Sequence, residues 1–150
     1  MGDARIRPAR AQDAATLDAI AHAAYVKCVP RIGRQPAPMS TDYAASIAAG
    51  HVTVIERNET VAGYLIGGPD GESFFIENIA VDPIHQGNGL GGALLRYAVA
   101  EACSLKLPSV RLCTNAAMTE NRALYEDFGF VETHRALEHG YDRVYMRLSL

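Results

Sequence analysis

The spacing of apolar and polar positions changes several times along the 150 residues, and the changes predict a mixed α and β chain. Residues 3–8 alternate weakly, with Ala4 and Ile6 apolar, and predict a short strand. A helix is expected from Gln12 or Asp13 to about Val26. In the stretch VPRIGRQPAPMS, Pro30, Pro36 and Pro38 each remove a backbone donor and fix φ, and Gly33 adds a further break, so a loop is expected. Ser40 or Thr41 would cap a second helix, with Asp42 in its first turn and Gly50 as its stop.

From His51 the segments HVTVIERN and TVAGYLIGG are rich in β-branched residues and predict two strands joined by a hairpin at Asn58-Glu59. A turn at Pro69-Asp70-Gly71 leads to a third strand over residues 72–81, completing an antiparallel meander. LGGALLRYAVAEACSLKL places Leu90, Leu94, Tyr97, Ala98 and Leu105 on one face of a helix that Pro108 closes. SVRLCTN is the next strand; with a helix before it, it can lie parallel to its neighbour in a right-handed crossover. A short helix over residues 121–127, stopped by Gly129, precedes two last strands at residues 131–137 and 144–148. The predicted order is β-α-α-β-β-β-α-β-α-β-β in a single domain, with no internal repeat or low-complexity linker.

Composition supports one globular domain, with 49% hydrophobic and 21% charged residues. A formal net charge of −3 supplies no global positive field for a polyanion, so no nucleic-acid partner is expected and any phosphate contact must be local. The first residues, MGDARIRPARAQDAATL, have no apolar run behind their basic positions, and no stretch is long enough to cross a bilayer, which predicts a soluble, cytoplasmic protein without a membrane partner. Cys28, Cys103 and Cys113 lack the spacing of a zinc knuckle or redox pair and read as reduced, mostly buried thiols. The five histidines show no helical i, i+4 pair, and no metal is expected.

The chemistry concentrates in IENIAVDPIHQGNGLGGALL, where a buried strand passes through Asp82-Pro83 and a glycine-rich turn into a helix. The first N–H groups of a helix lack intrahelical acceptors and lie at the positive end of its dipole, so they are ready donors for a pyrophosphate. Glycines let several successive N–H groups converge on one anion. The turn lacks the Lys-Ser/Thr ending of a nucleoside triphosphate loop. Gly87, Gly89 and Gly92 satisfy GxGxxG, the dinucleotide fingerprint. However, the turn follows a meander, five residues separate it from the strand, and the next strand ends in Asn115 without an acidic ribose ligand. A turn that merely lets a helix pack on a sheet is a third reading.

Val81-Asp82-Pro83 followed by Gln86-Gly87-Asn88-Gly89-Leu90-Gly91 resembles the signature of the GNAT N-acetyltransferase superfamily, and LCTNAAMTENRALYEDFGF resembles its later motif through Asn121, Tyr125 and Gly129-Phe130. The resemblance covers roughly residues 73–132, and the element order extends it over the chain. It implies a GNAT-like α/β (α+β) fold: a mixed, mostly antiparallel sheet of six to seven strands with four helices on its faces. It also implies acetyl-CoA as co-substrate, its pantetheine arm pairing with the backbone of Ile79, Ala80 and Val81 where two parallel strands splay. Gln86, Gly87, Asn88, Gly89, Leu90, Gly91 and Gly92 would hold the pyrophosphate, and Asn121 and Tyr125 would contact the cofactor from the short helix.

An alkyl amine is almost wholly protonated at neutral pH, so acetyl transfer to it needs a proton acceptor. Glu77 is the candidate base, directly or through a water, with a solvated strand carboxylate as the alternative. Tyr125 would donate to the departing thiolate, or else pack in the core, and the N–H of Ile79 would meet the oxyanion. Direct attack in a ternary complex is expected, with no acyl-Cys intermediate. By the same resemblance the acceptor enters over the first two helices and their loop, where Tyr25, Arg31 and Arg34 are candidate substrate-binding residues. The two arginines could pair with a substrate carboxylate or be solvated loop charges, and Tyr141 near the last turn could close the pocket.

The expected function is transfer of acetyl to a primary amine of a small molecule, amino acid or peptide, with a homodimer left open. A non-catalytic acyl-CoA-binding module is the alternative, disfavoured by the presence of both Glu77 and Tyr125. An NAD-dependent dehydrogenase is the remote one.

Overall fold

The computed structural model describes residues 4–150. The predicted first strand begins at Asp3, which lies outside the described residues. Among these residues seven strands follow the order β1-β2-β3-β4-β5-β7-β6. With four helices longer than one turn they give the expected mixed, mostly antiparallel architecture. The chain divides into two compact units, one of residues up to Gly67 together with Asn78–Leu95, the other of Gly68–Glu77 and Arg96–Leu150.

In the first unit β1 (Ala4–Pro8) pairs antiparallel with β2 (Val52–Arg57), which pairs antiparallel with β3 (Thr60–Asp70). The hairpin forms where predicted, and Asn58 and Glu59 both take positive φ, 54° and 65°, the twist that suits a two-residue connection. Helix α1 (Ala14–Tyr25) turns Leu17, Ile20 and Ala21 inward, at the i, i+3, i+4 spacing of a buried stripe. β3 buries residues 62–66 without alternation, as a strand covered on both faces must. Gly63 sits where a Cβ would lie 2.8 Å from the carbonyl oxygen of Ala80, so β3 passes close to the strand β4 (Ser73–Val81) only because that position has no side chain.

The loop expected after α1 is partly helical. Val26–Cys28 form a 3₁₀ turn, Val29–Ile32 a one-turn helix, α2, and Ala37–Ser40 a second 3₁₀ turn. Pro30 is compatible because it occupies the first turn, where its missing N–H costs no bond, and Gly33 at φ 83° ends the helix. Helix α3 (Tyr43–Ala48) is capped by Asp42, whose carboxylate accepts from Ala45 N at 3.1 Å, and not by Ser40 or Thr41. The Ser40 hydroxyl donates to Gln35 and that of Thr41 to Ala37 O, so both are occupied elsewhere.

In the second unit the first residues of β4 pair parallel with β5 (Ser109–Asn115), from Ser73↔Ser109 to Ile76↔Leu112. The start of that ladder is pinned by the buried Ser73 and Ser109 hydroxyls, 2.6 Å apart. β5 then pairs along its whole length with β7 (Tyr141–Ser149), and β7 with β6 (Val131–Glu138). Helix α4 (Leu90–Ser104) joins β4 to β5, with Leu90, Leu94 and Ala98 buried as expected. Leu105 falls beyond the helix and is 49% exposed, and Leu95 and Ala102 complete the buried stripe instead. Helix α5 (Thr119–Phe128) ends at Gly129, φ 122°.

Arg7 ties the start of the first unit together. Its guanidinium donates to Asp13 at 2.9 and 3.3 Å and to Glu56 at 2.9 Å, while Asp13 also accepts from Arg10 N at 2.7 Å. These bonds, above all the one from Arg7, hold the buried Asp13 carboxyl below its ordinary range despite the opposing cost of burial. The stabilisation is therefore complete above the unfolded carboxyl pKa of about 3.9 and fades as pH falls through the depressed folded value. Asp13→Asn is expected to cost about 2 kcal/mol in urea melts at pH 7. The gap to the wild type should narrow at pH 2–3.

Candidate active site

Glycine 87 and Gly89, with φ of 83° and 76°, set the turn before α4. Open space surrounds both, so a side chain there would be opposed by backbone strain rather than crowding. The turn is stiffened from within. Asp82 accepts from Ile84 N at 3.2 Å, and Asn88 Nδ2 donates to His85 O at 3.0 Å. Gln86 Nε2 reaches back to Val81 O at 3.2 Å. Residues 86–89 are exposed, while Leu90, 5% exposed, anchors the helix behind them. The bond from Ala93 N to Gly89 O, 3.0 Å, closes the first helical turn. The preceding N–H groups have no intrahelical acceptor, as at any helix start.

β4 is the strand that leads into this turn, and its pairing with β5 covers four residues, ending at Ile76↔Leu112, although β5 continues to Asn115. Alternation along β4 buries Phe74, Ile76, Asn78 and Ala80, and leaves Glu77 exposed. Asn78 is thus a polar residue at a core position, and its partners are two tyrosines that sequence reasoning did not connect to it. Tyr43 Oη donates to Pro38 O at 2.6 Å and lies 2.9 Å from Tyr64 Oη; Tyr64 reaches Asn78 Oδ1 at 3.1 Å, and Asn78 Nδ2 donates to Tyr43 at 3.2 Å. Burial pushes both phenols up, Tyr64 far up, so both stay neutral. Their two hydroxyl hydrogens cannot serve Pro38 O, the Tyr43–Tyr64 contact and Asn78 Oδ1 at once. The signal was legible: an Asn in phase with Phe74 and Ile76 is an inward amide that needs partners.

Tyr25, expected on the acceptor side, is 6% exposed at the end of α1, and its hydroxyl donates to Ile79 O at 2.7 Å. Arg31, on α2, and Arg34, just after it, are both exposed. Tyr25, Arg31, Arg34, Ile79, Ala80, Val81 and residues 86–92 all belong to the first unit.

Glu77, Asn121 and Tyr125 belong to the second. Tyr125 is 5% exposed on α5, its ring edge-on to Phe130 at 6.1 Å, and burial raises its phenol so that it keeps its proton. Asn121 Nδ2 lies 3.6 Å from Met118 Sδ. Cys113 on β5 is also pushed up, by burial first, with the Glu138 and Glu77 carboxylates adding and Arg143 opposing. A thiol held protonated in this way is a poor nucleophile. Tyr141 carries the Arg143 guanidinium over its ring at 5.7 Å. Cys28 is buried and Cys103 exposed. Among the described residues no helix is long and apolar enough to cross a membrane.

β4 thus loses its ladder to β5 after Ile76 and runs through a turn with positive φ at Gly87 and Gly89 into α4. The sequence model described as the acetyltransferase (GNAT) domain matches residues 48–132. The chain belongs to the GNAT acetyltransferase family and is an acetyl-CoA-dependent acyltransferase. A search of curated proteins found no match. Among solved structures, the chain resembles the PaiA N-acetyltransferase of Thermoplasma acidophilum in complex with coenzyme A, with TM-score 0.82, 15% identity and 99% of each chain covered. It also resembles the ribosomal-protein-S18-alanine N-acetyltransferase of Escherichia coli, with TM-score 0.75 and 21% identity over 98% of this chain and 94% of that one. A third is yncA, a putative acetyltransferase from Salmonella typhimurium with its cofactor acetyl-CoA, with TM-score 0.72 and 24% identity over 98% and 94% of the two chains. Identities this low speak to the fold alone.

Tyr64→Phe removes the hydrogen aimed at Asn78 Oδ1 and leaves that buried acceptor short of a donor. A loss of about 1–3 kcal/mol is expected in urea denaturation at unchanged m-value.

Proposed function

We propose that the protein moves the acetyl group of acetyl-CoA to a primary amine of a small molecule, amino acid or peptide, by direct attack in a ternary complex. The observation that carries this reading is the junction of β4 and α4, where a strand freed from β5 after Ile76 meets a turn whose Gly87 and Gly89 take positive φ. The backbone of Ile79, Ala80 and Val81 receives the pantetheine arm, Gln86, Gly87, Asn88, Gly89, Leu90, Gly91 and Gly92 receive the pyrophosphate, and Asn121 adds a contact from α5. Acetyl-CoA supplies an activated acyl group, so the chain's own task is to position it and manage protons.

Glu77, exposed on β4, takes the proton from the ammonium form of the acceptor, directly or through a water. The free amine attacks the thioester carbonyl while the N–H of Ile79 meets the oxyanion. Tyr125, kept neutral by burial, donates a hydrogen bond to the departing thiolate, which takes up the second proton shed by the acceptor nitrogen and leaves as the free thiol. The protonated state of Cys113 supports direct attack over an acyl-enzyme. Arg31 and Arg34, both exposed, would bind a carboxylate on the acceptor, with Tyr25 as a further contact.

Acetyl-CoA at 100 times its Kd is expected to stabilise the protein by about 2.7 kcal/mol, seen as a raised Tm, whereas NAD leaves Tm unchanged. The reverse pattern would return the turn to the dinucleotide reading. In thiol-release assays over a panel of amines, Tyr125→Phe and Glu77→Gln should each lower kcat on the order of 100-fold with acetyl-CoA binding retained. An unchanged kcat for Glu77→Gln across the pH range removes that residue from the mechanism. Absence of turnover with any amine, with acetyl-CoA still bound, would favour the non-catalytic module.

A further inference from the structure

Residues two apart on a strand share a face, and so do residues paired across a ladder. Phe75 pairs with Arg111, and Arg111 pairs in turn with Arg147, while Glu77 follows Phe75 by two positions on β4. These residues therefore lie on one face of the sheet, all within the second unit. The Arg111 guanidinium stands over the Phe75 ring, 5.7 Å from its centroid. Cys113, two positions beyond Arg111 on β5, feels the charges of both Arg111 and Glu77, so the two lie near one thiol. Glu77 and Arg147 are exposed and Arg111 is half-buried. The two arginines are the discordant element of this face. Like charges directly opposite each other weaken a ladder, and among the described residues neither Arg111 nor Arg147 lies within salt-bridge distance of a carboxylate. Guanidiniums of the β6–β7 hairpin do have such partners: Arg135 is 3.1 Å from Glu132 and Arg143 is 3.5 Å from Glu138.

We infer that Arg111 and Arg147 bind an anionic group, carboxylate or phosphate, carried by the acceptor, and that the acceptor is an amine whose nitrogen stands well removed from that group. The inference rests on the reading of Glu77 as the base, and it adds an anion site to the one assigned to Arg31 and Arg34. A ring beneath a guanidinium fixes its plane and leaves its N–H edge open to an oxyanion. An anion held by both guanidiniums also offsets the repulsion of the bare pair. The separation then sets the substrate class. With its guanidinium over Phe75, Arg111 stands one two-residue step from Glu77, roughly 6–7 Å along the strand. An amine beside Glu77 and an anion on Arg111 are joined across that step by a chain of roughly five bonds between nitrogen and acid carbon. An α-amino acid, with both groups on one carbon, is too short to reach the two.

The test measures thiol release from acetyl-CoA by the full chain with two matched pairs of acceptors. One pair is 5-aminopentanoate and its neutral amide, the other 4-aminobutyl phosphate and 4-aminobutanol. The wild type is expected to favour at least one anionic acceptor over its neutral partner by about tenfold or more in kcat/KM, the span of one hydrogen bond to a charged group. The pair with the larger ratio tells carboxylate from phosphate. In Arg111→Met and in Arg147→Glu that ratio should fall toward one, with part of it retained in Arg111→Lys, whereas the double variant Arg31→Met, Arg34→Met should keep it. A wild-type ratio of one in both pairs, a ratio that survives either Arg111→Met or Arg147→Glu, or its loss in the double variant overturns the inference. If Arg111→Met does not fold, Arg147→Glu, at an exposed position, is read alone. A wild type that binds acetyl-CoA and acetylates no amine overturns the acetyl-transfer reading and this inference together, whereas turnover of the neutral amines without preference for the anionic ones overturns only the inference.

Discussion

A buried or ligand-facing peptide group must find a hydrogen-bond partner, and β4 meets that requirement differently along its length. On one edge, up to Ile76, it is satisfied by β5, and on the other it neighbours β3. Beyond that point satisfaction comes from elsewhere: from Ala62 by way of Asp82 N, from Tyr25 on Ile79 O, and from Gln86 on Val81 O. Gly63 belongs to the same solution, since the absence of its side chain lets the backbone at Ala80 approach β3. The glycine turn that follows is exposed and depends on being aimed correctly by this strand.

The acceptor-side segment shares those supports. Tyr43 joins α3 and Pro38 to Tyr64 and Asn78 through buried hydroxyl and amide groups. Tyr25 joins the end of α1 to Ile79. Residues 25–43, which the reading of function assigns to the acceptor, are thus held to adjacent residues of the strand that it assigns to acetyl-CoA. Buried polar networks of this kind specify one arrangement more than they add stability, because each partner left unpaired is costly.

Most of the architecture was legible because its causes are local. β-branched runs, the Asn58-Glu59 hairpin, the α4 stripe of Leu90, Leu94 and Ala98, and the Gly129 stop each act within a few residues. Errors fell where two local rules competed or a distant partner decided. Proline spacing over residues 29–40 read as loop, yet Pro30 fits a helix's first turn. Ser40 and Thr41 looked like caps but bond elsewhere, leaving Asp42 to cap α3. The glycine turn and its flanking motif were visible in the sequence. The bond of Tyr25 to Ile79 was not, since 54 residues separate the two and only the fold brings them together.

The three cysteines differ in a way that has a practical consequence. Cys28 is buried and Cys113 is held in its protonated, less reactive form, whereas Cys103 stands exposed late in α4. Thiolate-seeking reagents discriminate by access and by charge state. The natural chain therefore carries a ready-made attachment point for a single fluorophore or spin label on a helix whose other end opens at the glycine turn, with no cysteine to be engineered in or out.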